Sequence, residues 1–329
     1  MKALVTGGAG FIGSHVAKWL LQDNYEVVIL DDLSGGYLEN VPPTTKFVEG
    51  SVTDINLVKT LFEEEHFDYV YHLAAYAAEG LSHFIRRFNY ENNLIGSINL
   101  INQSILHQIK CFVFTSSIAV YGSQNPPMTE SMSPRPEDPY GIAKYAVELD
   151  LKAACQQFGL NYIIFRPHNV YGEGQNIGDK YRNVIGIFMN QILSGQPLTI
   201  FGDGKQTRAF SYIDDVAPII ARSVENRSAY REIFNIGGSY PTAVNELAES
   251  VCHSMGVGVN ITYLEPRHEV VHAYASHEKV YQFFNNDVPS PTDLTKGLLK
   301  MAKWANDMGP RKTNPFAKIE IPNGLPQGW

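Results

Sequence analysis

The sequence predicts an α/β protein built on a doubly wound parallel sheet, with a smaller, interleaved mixed α/β lobe. Three observations carry that reading. Short apolar, β-branched runs alternate with helical patterns through the first half of the chain, and a glycine-crowded turn joins the first strand to the first helix. The alternation then stops at Arg166-Pro167, where polar loops and shorter elements begin.

The elements follow in order. Ala3–Thr6 reads as a buried strand, and glycines at 7, 10 and 13 lead into a helix over His15–Gln22 with Val16, Trp19 and Leu20 on one side. Gly7 allows the tight turn, Gly10 lets backbone approach a pyrophosphate, and Gly13 lets helix and strand pack closely. The unpaired N–H groups and positive dipole end of that helix favour phosphate. The next strand, Glu26–Leu30, ends in Asp31, 18 residues past Gly13. There a carboxylate can accept from the ribose hydroxyls and repel a 2′-phosphate. The pattern is a Rossmann-type dinucleotide site that selects NAD over NADP.

Strands Lys46–Glu49, Tyr69–Leu73, Cys111–Ser116 and Tyr162–Arg166 alternate with helices Asn56–Glu65, Tyr90–Gln108 and Tyr140–Phe158. Asp54 reads as a helix N-cap. Beyond a polar loop over Gly172–Asp179, a helix is expected over Val184–Ser194, a strand over Leu198–Ile200, a turn at Gly202-Asp203-Gly204 and an amphipathic helix over Thr242–Met255. Phe210–Ile213 and Ile233–Ile236 look like strands returning to the first lobe. This gives a dinucleotide-binding domain over 1–166, rejoined by 210–236, and a smaller domain over 167–329. Prolines 310, 315, 322 and 326 leave the tail little helix potential.

At 329 residues, 44% hydrophobic and 18% charged, the chain has the composition of a soluble enzyme. Net charge is −8 with no Lys/Arg-rich patch, which argues against nucleic acid as a partner. Cys111, Cys155 and Cys252 share no short spacing and read as reduced thiols. No apolar run approaches the ~18 residues of a membrane span, so a cytoplasmic location with no membrane partner is expected. His268, His272 and His277 fit no metal-ligand spacing, and no metal is expected.

Tyr140 and Lys144 stand four apart on one helical face. Tyrosine in water has a pKa near ~10, too high for a base at neutral pH. A nearby ammonium and an oxidised nicotinamide ring would both favour the phenolate. Ser117 lies just past the carboxyl end of Cys111–Ser116, where its hydroxyl can bond a substrate oxygen. These are the candidate catalytic residues.

In this order along the chain, the glycine turn, Asp31, His72-Leu73-Ala74-Ala75, Thr115-Ser116-Ser117, Val120-Tyr121-Gly122, Tyr140 with Lys144, the stretch Arg166 to Gly172 and the stretch Arg208 to Val216 resemble the extended short-chain dehydrogenase/reductase family. The likeness runs from residue 2 to about 285, and is greatest to the nucleotide-sugar 4-epimerases. It implies that Phe11 and Ile12 lend N–H groups to the pyrophosphate and that Ala74, Ala75 and Pro167 border the cofactor. Lys144 would bond the nicotinamide ribose and tune Tyr140. Asn169, Asn183 and Val184 would meet the substrate diphosphate, with Arg208 and Arg267 supplying the guanidinium forks that such a group favours. The family's acidic residue at the adenine amine is replaced by Ser51-Val52, leaving Ser51 to supply or weaken that contact.

Relatives that dehydrate or decarboxylate carry acids just after the active hydroxyl, and 3,5-epimerases a cysteine there. Ile118-Ala119 can do none of that work. The resemblance therefore implies NAD-dependent epimerisation at C4 of a UDP-glucose or UDP-galactose type substrate, through a transient 4-keto sugar. Alternatives are another nucleotide-sugar modification (dehydratase, decarboxylase or reductase) or a non-catalytic NAD-binding protein. The loop Tyr76-Ala77-Ala78-Glu79-Gly80 departs from the epimerase pattern, and Glu79 reads as a solvated loop charge, with an additional acid as the other reading. Tyr274, seven residues past Arg267, matches the position beside the hexose C2 substituent and would restrict N-acetylated sugars. Helices Tyr90–Gln108 and Tyr140–Phe158 would form a homodimer interface, unless their apolar residues face only the internal sheet.

Overall fold

In the computed structural model, which describes every residue except 239, 268, 285–290, 313–314 and 327–329, the alternating apolar runs become one parallel sheet. Its elements are β1 (Lys2–Thr6), α1 (Phe11–Gln22), β2 (Glu26–Asp31), β3 (Lys46–Glu49), α2 (Ile55–Glu65), β4 (Tyr69–His72), α3 (Glu79–Ser82), α4 (Arg86–Tyr90), α5 (Gly96–Leu106), β5 (Cys111–Thr115), α6 (Pro139–Phe158) and β6 (Tyr162–Pro167). The chain continues through β7 (Val170–Tyr171), α7 (Val184–Leu193), β8 (Leu198–Phe201), β9 (Thr207–Ala209), β10 (Ser211–Tyr212), α8 (Ala217–Arg222) and β11 (Glu232–Ile236). It ends with β12 (Pro241–Ala243), α9 (Val244–Ser254), β13 (Ile261–Leu264), β14 (His272–Ala273), α10 (Glu278–Phe284) and α11 (Leu294–Met308).

The seven-stranded sheet runs β3-β2-β1-β4-β5-β6-β11, and every neighbouring pair is parallel. Side chains of a strand alternate between faces, and β1 shows the result. Ala3 and Val5 enter one core with Val16 and Leu20 of α1, while Leu4 enters the other with Phe62, Leu100 and Val147. The core on the α1 side continues without a break into Phe188 of α7, Leu247 of α9 and Met301 of α11. Strand order reverses between β1 and β4, and a cleft opens beyond the carboxyl ends of strands at such a switch point.

Two expectations change. Ser211–Tyr212 does not return to the large sheet but pairs with β7 in a separate two-stranded ribbon. β6 already has β5 along one edge and β11 along the other, so no edge is left for it. The single helix expected over Tyr90–Gln108 is interrupted by a π-turn at Glu91–Ile95. That insertion of π geometry leaves the Asn93 side chain accepting the Tyr76 N–H at 2.8 Å and donating to the Tyr76 carbonyl at 3.1 Å. Asp54 caps α2 by accepting from the N–H groups of Asn56 and Leu57. The proline-bearing tail packs: Phe316 meets the rings of Tyr76 and Phe88, and Glu320 accepts from the N–H groups of Arg87 and Phe88.

Candidate active site

A cavity of about 500 Å³ lies beyond the carboxyl ends of the central strands, between the sheet and the second lobe. At one end is the glycine turn. Gly7 has φ +72°, and a Cβ there would meet the Ala74 nitrogen at 2.7 Å; one on Gly13 would meet the Gly7 carbonyl oxygen at 2.1 Å. Only bare backbone fits, which leaves the start of α1 open toward an anion. Asp31, at the end of β2, accepts from the Ala9 N–H at 3.0 Å and the Leu33 N–H at 2.8 Å. Its oxygens keep further lone pairs for a ribose diol. Gly10, Phe11, Ile12, Ser51, Val52, Ala74, Ala75 and Pro167 line the same end. Ser51 Oγ is engaged with the Thr53 hydroxyl at 2.9 Å. These residues fit a dinucleotide with an unphosphorylated ribose.

In the middle of the cavity stand Ser117 and Tyr140. Ser117 begins the turn Ile118–Tyr121, and its Oγ accepts from the Ala119 N–H at 3.1 Å. Asp138 caps α6 by accepting from the Gly141 N–H at 2.9 Å, and Pro139 starts the first turn. That puts Tyr140 at the helix entrance, with Ser117 close enough to act on its phenol. One turn on, Lys144 is buried behind the phenol rather than in the cavity lining. Its Nζ donates to the Thr115 carbonyl at 2.7 Å and lies 5.8 Å from the centre of the Tyr140 ring.

The electrostatics differ from the expected depression of the tyrosine. Burial pushes the Tyr140 phenol above its ordinary value, and the Ser117 hydrogen bond opposes this only in part. Burial also pulls Lys144 down to about 7, against the Glu148 carboxylate. Desolvation disfavours both charges separately. The phenolate is reached when it forms beside an ammonium that keeps its proton.

Beneath these groups is a network that sequence reading missed. Glu148 accepts from Arg166 Nε at 2.9 Å and from the Ser116 hydroxyl at 2.6 Å. Arg166 Nη1 donates to the Tyr121 hydroxyl at 2.7 Å, which donates to Asn235 at 2.8 Å. β5, α6, β6 and β11 are thereby tied together under the catalytic turn. The available signal was Glu148 one turn past Lys144, with Arg166 as a buried cation needing a partner.

The far end of the cavity is built by the second lobe. Asn183 caps α7 by accepting from the Ile185 N–H at 3.1 Å, so that Asn183 and Val184 present the start of a ten-residue helix to the cavity. Asn169, Arg208 and Arg267 line it too. Arg208 donates to the carbonyls of Thr207 and Val271 at 2.9 and 3.0 Å, and Arg267 donates to Glu269 at 3.0 Å. Two guanidiniums and a helix N-terminus give this end positive character, with the Glu269 carboxylate 3.0 Å from Arg267 and 3.6 Å from Arg208.

Tyr274 is not brought to the cavity. β14 pairs with β9, placing Ala273 beside Arg208, and the next carbonyl, that of Tyr274, accepts from the Met128 N–H at 3.0 Å. The chain thus leads away, and Glu269 and Val270 line the cavity instead. Glu79 is exposed, as expected of a loop charge, but its exposed side chain lines the cavity, as does Arg182, stacked 4.6 Å over the Tyr76 ring. His268 lies outside the described residues. Among the described residues no three His, Cys, Asp or Glu side chains converge as a metal site, and no helix is long and apolar enough to cross a membrane.

The family model described as the NAD dependent epimerase/dehydratase family matches residues 3–237. The chain is similar to a UDP-glucose 4-epimerase of Lactobacillus helveticus, 32% identical over 277 residues, covering 80% of this chain and 84% of the relative. It resembles the Thermotoga maritima UDP-glucose 4-epimerase solved with UDP-glucose, with a TM-score of 0.87, 34% identity and coverage of 94% and 99% of the two chains. A Bacillus cereus UDP-glucuronic acid 4-epimerase solved with UDP-glucuronic acid and NAD gives a TM-score of 0.85 at 28% identity, covering 94% and 100%.

Proposed function

The chain belongs to the NAD dependent epimerase/dehydratase family, whose cofactor is NAD, and from that premise we propose that it inverts C4 of a UDP-activated hexose. The observation that carries this reading is the position of the Tyr140–Ser117 pair, between a backbone cradle for a dinucleotide and a two-arginine anion site. The two residues that follow Ser117, Ile118 and Ala119, line the cavity and carry no acid to take the chemistry further.

The glycine turn and Asp31 would hold NAD+, which would supply a reversible hydride acceptor for C4. The protein's part is proton transfer and holding. Tyr140 removes the proton of the 4-hydroxyl as general base, while Ser117 bonds the same oxygen. Lys144, behind the phenol, offsets its negative charge and is kept in line by the Thr115 carbonyl. Arg208 and Arg267 retain the diphosphate while the 4-keto sugar turns about its phosphate linkage. Tyr140 then returns its proton to the oxygen presented from the opposite face.

Exposed Leu106 of α5, with Ile142 and Leu149 of α6, supports a homodimer through these helices. The deciding experiment is incubation with UDP-glucose and separation of the products. UDP-galactose is expected; a 4-keto-6-deoxy product or no conversion would overturn the reading. Tyr140→Phe keeps the ring and should lower turnover about 10²–10⁴-fold, the usual scale of general acid–base catalysis. NAD should stay bound in that variant.

A further inference from the structure

Glu79 begins α3, in the loop between β4 and α4, and its side chain borders the cavity beside Gly80 and His83. The loop is held from both sides. Asn93 brackets the backbone of Tyr76, and the Ser82 hydroxyl donates to the Glu79 carbonyl at 2.6 Å. Asn93 donates to Asn89 at 2.8 Å, and Asn89 donates to the Pro139 carbonyl at 2.8 Å. The loop is therefore coupled to the start of the helix that carries Tyr140. No hydrogen bond reaches the Glu79 carboxylate from the described residues.

Its charged surroundings come from three directions: Asp138 ahead of α6, Arg208 on β9, and Arg267 with Glu269 after β13. The Tyr140 phenol also feels the Glu79 charge. Glu79 thus occupies the wall between the phenol and the arginines. On the reading given above, on which this inference rests, the phenol addresses C4 and the arginines hold the diphosphate, so the pyranose ring lies against that wall. An unpaired carboxylate there accepts hydrogen bonds from neutral hydroxyls and repels a carboxylate carried on C5.

We propose that Glu79 is a specificity residue that admits neutral hexoses and turns away uronic acids. The similarity to a UDP-glucuronic acid 4-epimerase makes this a real choice, since the same fold accommodates the charged sugar. Glu79 is exposed within the cavity, and crowding there together with the Asp138 and Glu269 charges raises its carboxyl above the usual carboxylate range, against the pull of Arg208 and Arg267. The discrimination therefore strengthens as pH rises and the group ionises.

The test is calorimetric binding of UDP-glucose and of UDP-glucuronate to NAD-loaded protein, in the parent, Glu79→Gln and Glu79→Asp. The parent should favour UDP-glucose by about 10–100-fold, the scale of one like-charge contact in a partly desolvated site. Glu79→Gln should shrink that ratio about tenfold, whereas Glu79→Asp keeps it. An unchanged ratio in Glu79→Gln, a parent that prefers the uronate, or a parent that binds neither sugar would overturn the assignment. Binding needs no turnover. A parent that shows the expected ratios yet interconverts no sugar would sink the epimerase reading and leave Glu79 as the selector.

Discussion

Replacing Lys144 with methionine removes a buried cation one helical turn from Tyr140 and keeps the length of the side chain. The ammonium lies 5.8 Å from the centre of the phenol ring. Two unit charges at about 6 Å interact by about 3 kcal/mol at an effective dielectric of ~20, equivalent to about 2 pKa units. Burial already pushes Tyr140 upward, so losing the ammonium adds to that rise. A higher phenol pKa leaves less phenolate at a given pH. Turnover at neutral pH should fall about 100-fold, and the acid limb of the pH–rate profile should move upward by about 2 units. Lys144 is itself held at about 7, so the two groups titrate as a pair, and the parent limb reports that pair. The assay is conversion of UDP-glucose at saturating NAD from about pH 6 to about pH 10, with thermal unfolding measured alongside. The Thr115 carbonyl loses its 2.7 Å donor in this variant, which costs about 1–3 kcal/mol. A slower enzyme whose acid limb has not moved would refute the electrostatic role and leave Lys144 as a strut.

Asp31→Ala should narrow the preference for NAD over NADP, measured as the ratio of the two dissociation constants. A parent that already prefers NADP would show that the carboxylate is misassigned. Glu148→Ala should destabilise the fold by about 3–5 kcal/mol in urea unfolding, because it strands the buried Arg166 guanidinium; a loss below about 1 kcal/mol would show the network to be dispensable. Tyr274→Ser should leave the ratio of kcat/KM for UDP-glucose and UDP-N-acetylglucosamine unchanged, since the side chain is not in the cavity lining. A shift toward the N-acetylated sugar would restore it as a gate.

What could be read from the sequence was what one strand, one turn and one helix decide locally. Gly10 and Gly13 are demanded by contacts within a single strand–turn–helix unit and Gly7 by the positive φ of its turn, although the backbone nearest a Cβ on Gly7 is that of Ala74 after β4; Asp31 follows from the end of the neighbouring strand. Tyr140 and Lys144 face the same way because they are four apart on a helix. Tyr274 was placed by counting from Arg267, which fails where β14 pairs with β9 and carries the chain off. Glu79 is the exposed loop charge its setting suggests, but that it is exposed into the cavity depends on Arg208 and Arg267, which later segments bring into the same lining. The π-turn at Glu91–Ile95 has no composition of its own. Its purpose shows only in the bonds Asn93 makes to Tyr76.

The sheet's last strand arrives late. β6 ends at residue 167 and β11, which covers its edge, begins at 232. At the ~5–20 residues per second of translation, a nascent chain carries β6 with one edge open for about 3–13 s before its second neighbour exists. The exposed edge begins with the apolar run Ile163, Ile164 and Phe165, ahead of Arg166, and an apolar unpaired edge is the kind of template that captures strands from other chains. Fragments truncated before residue 232 should therefore aggregate during expression, and slowing synthesis within 168–231 would lengthen the interval in which a chaperone has to shield that edge.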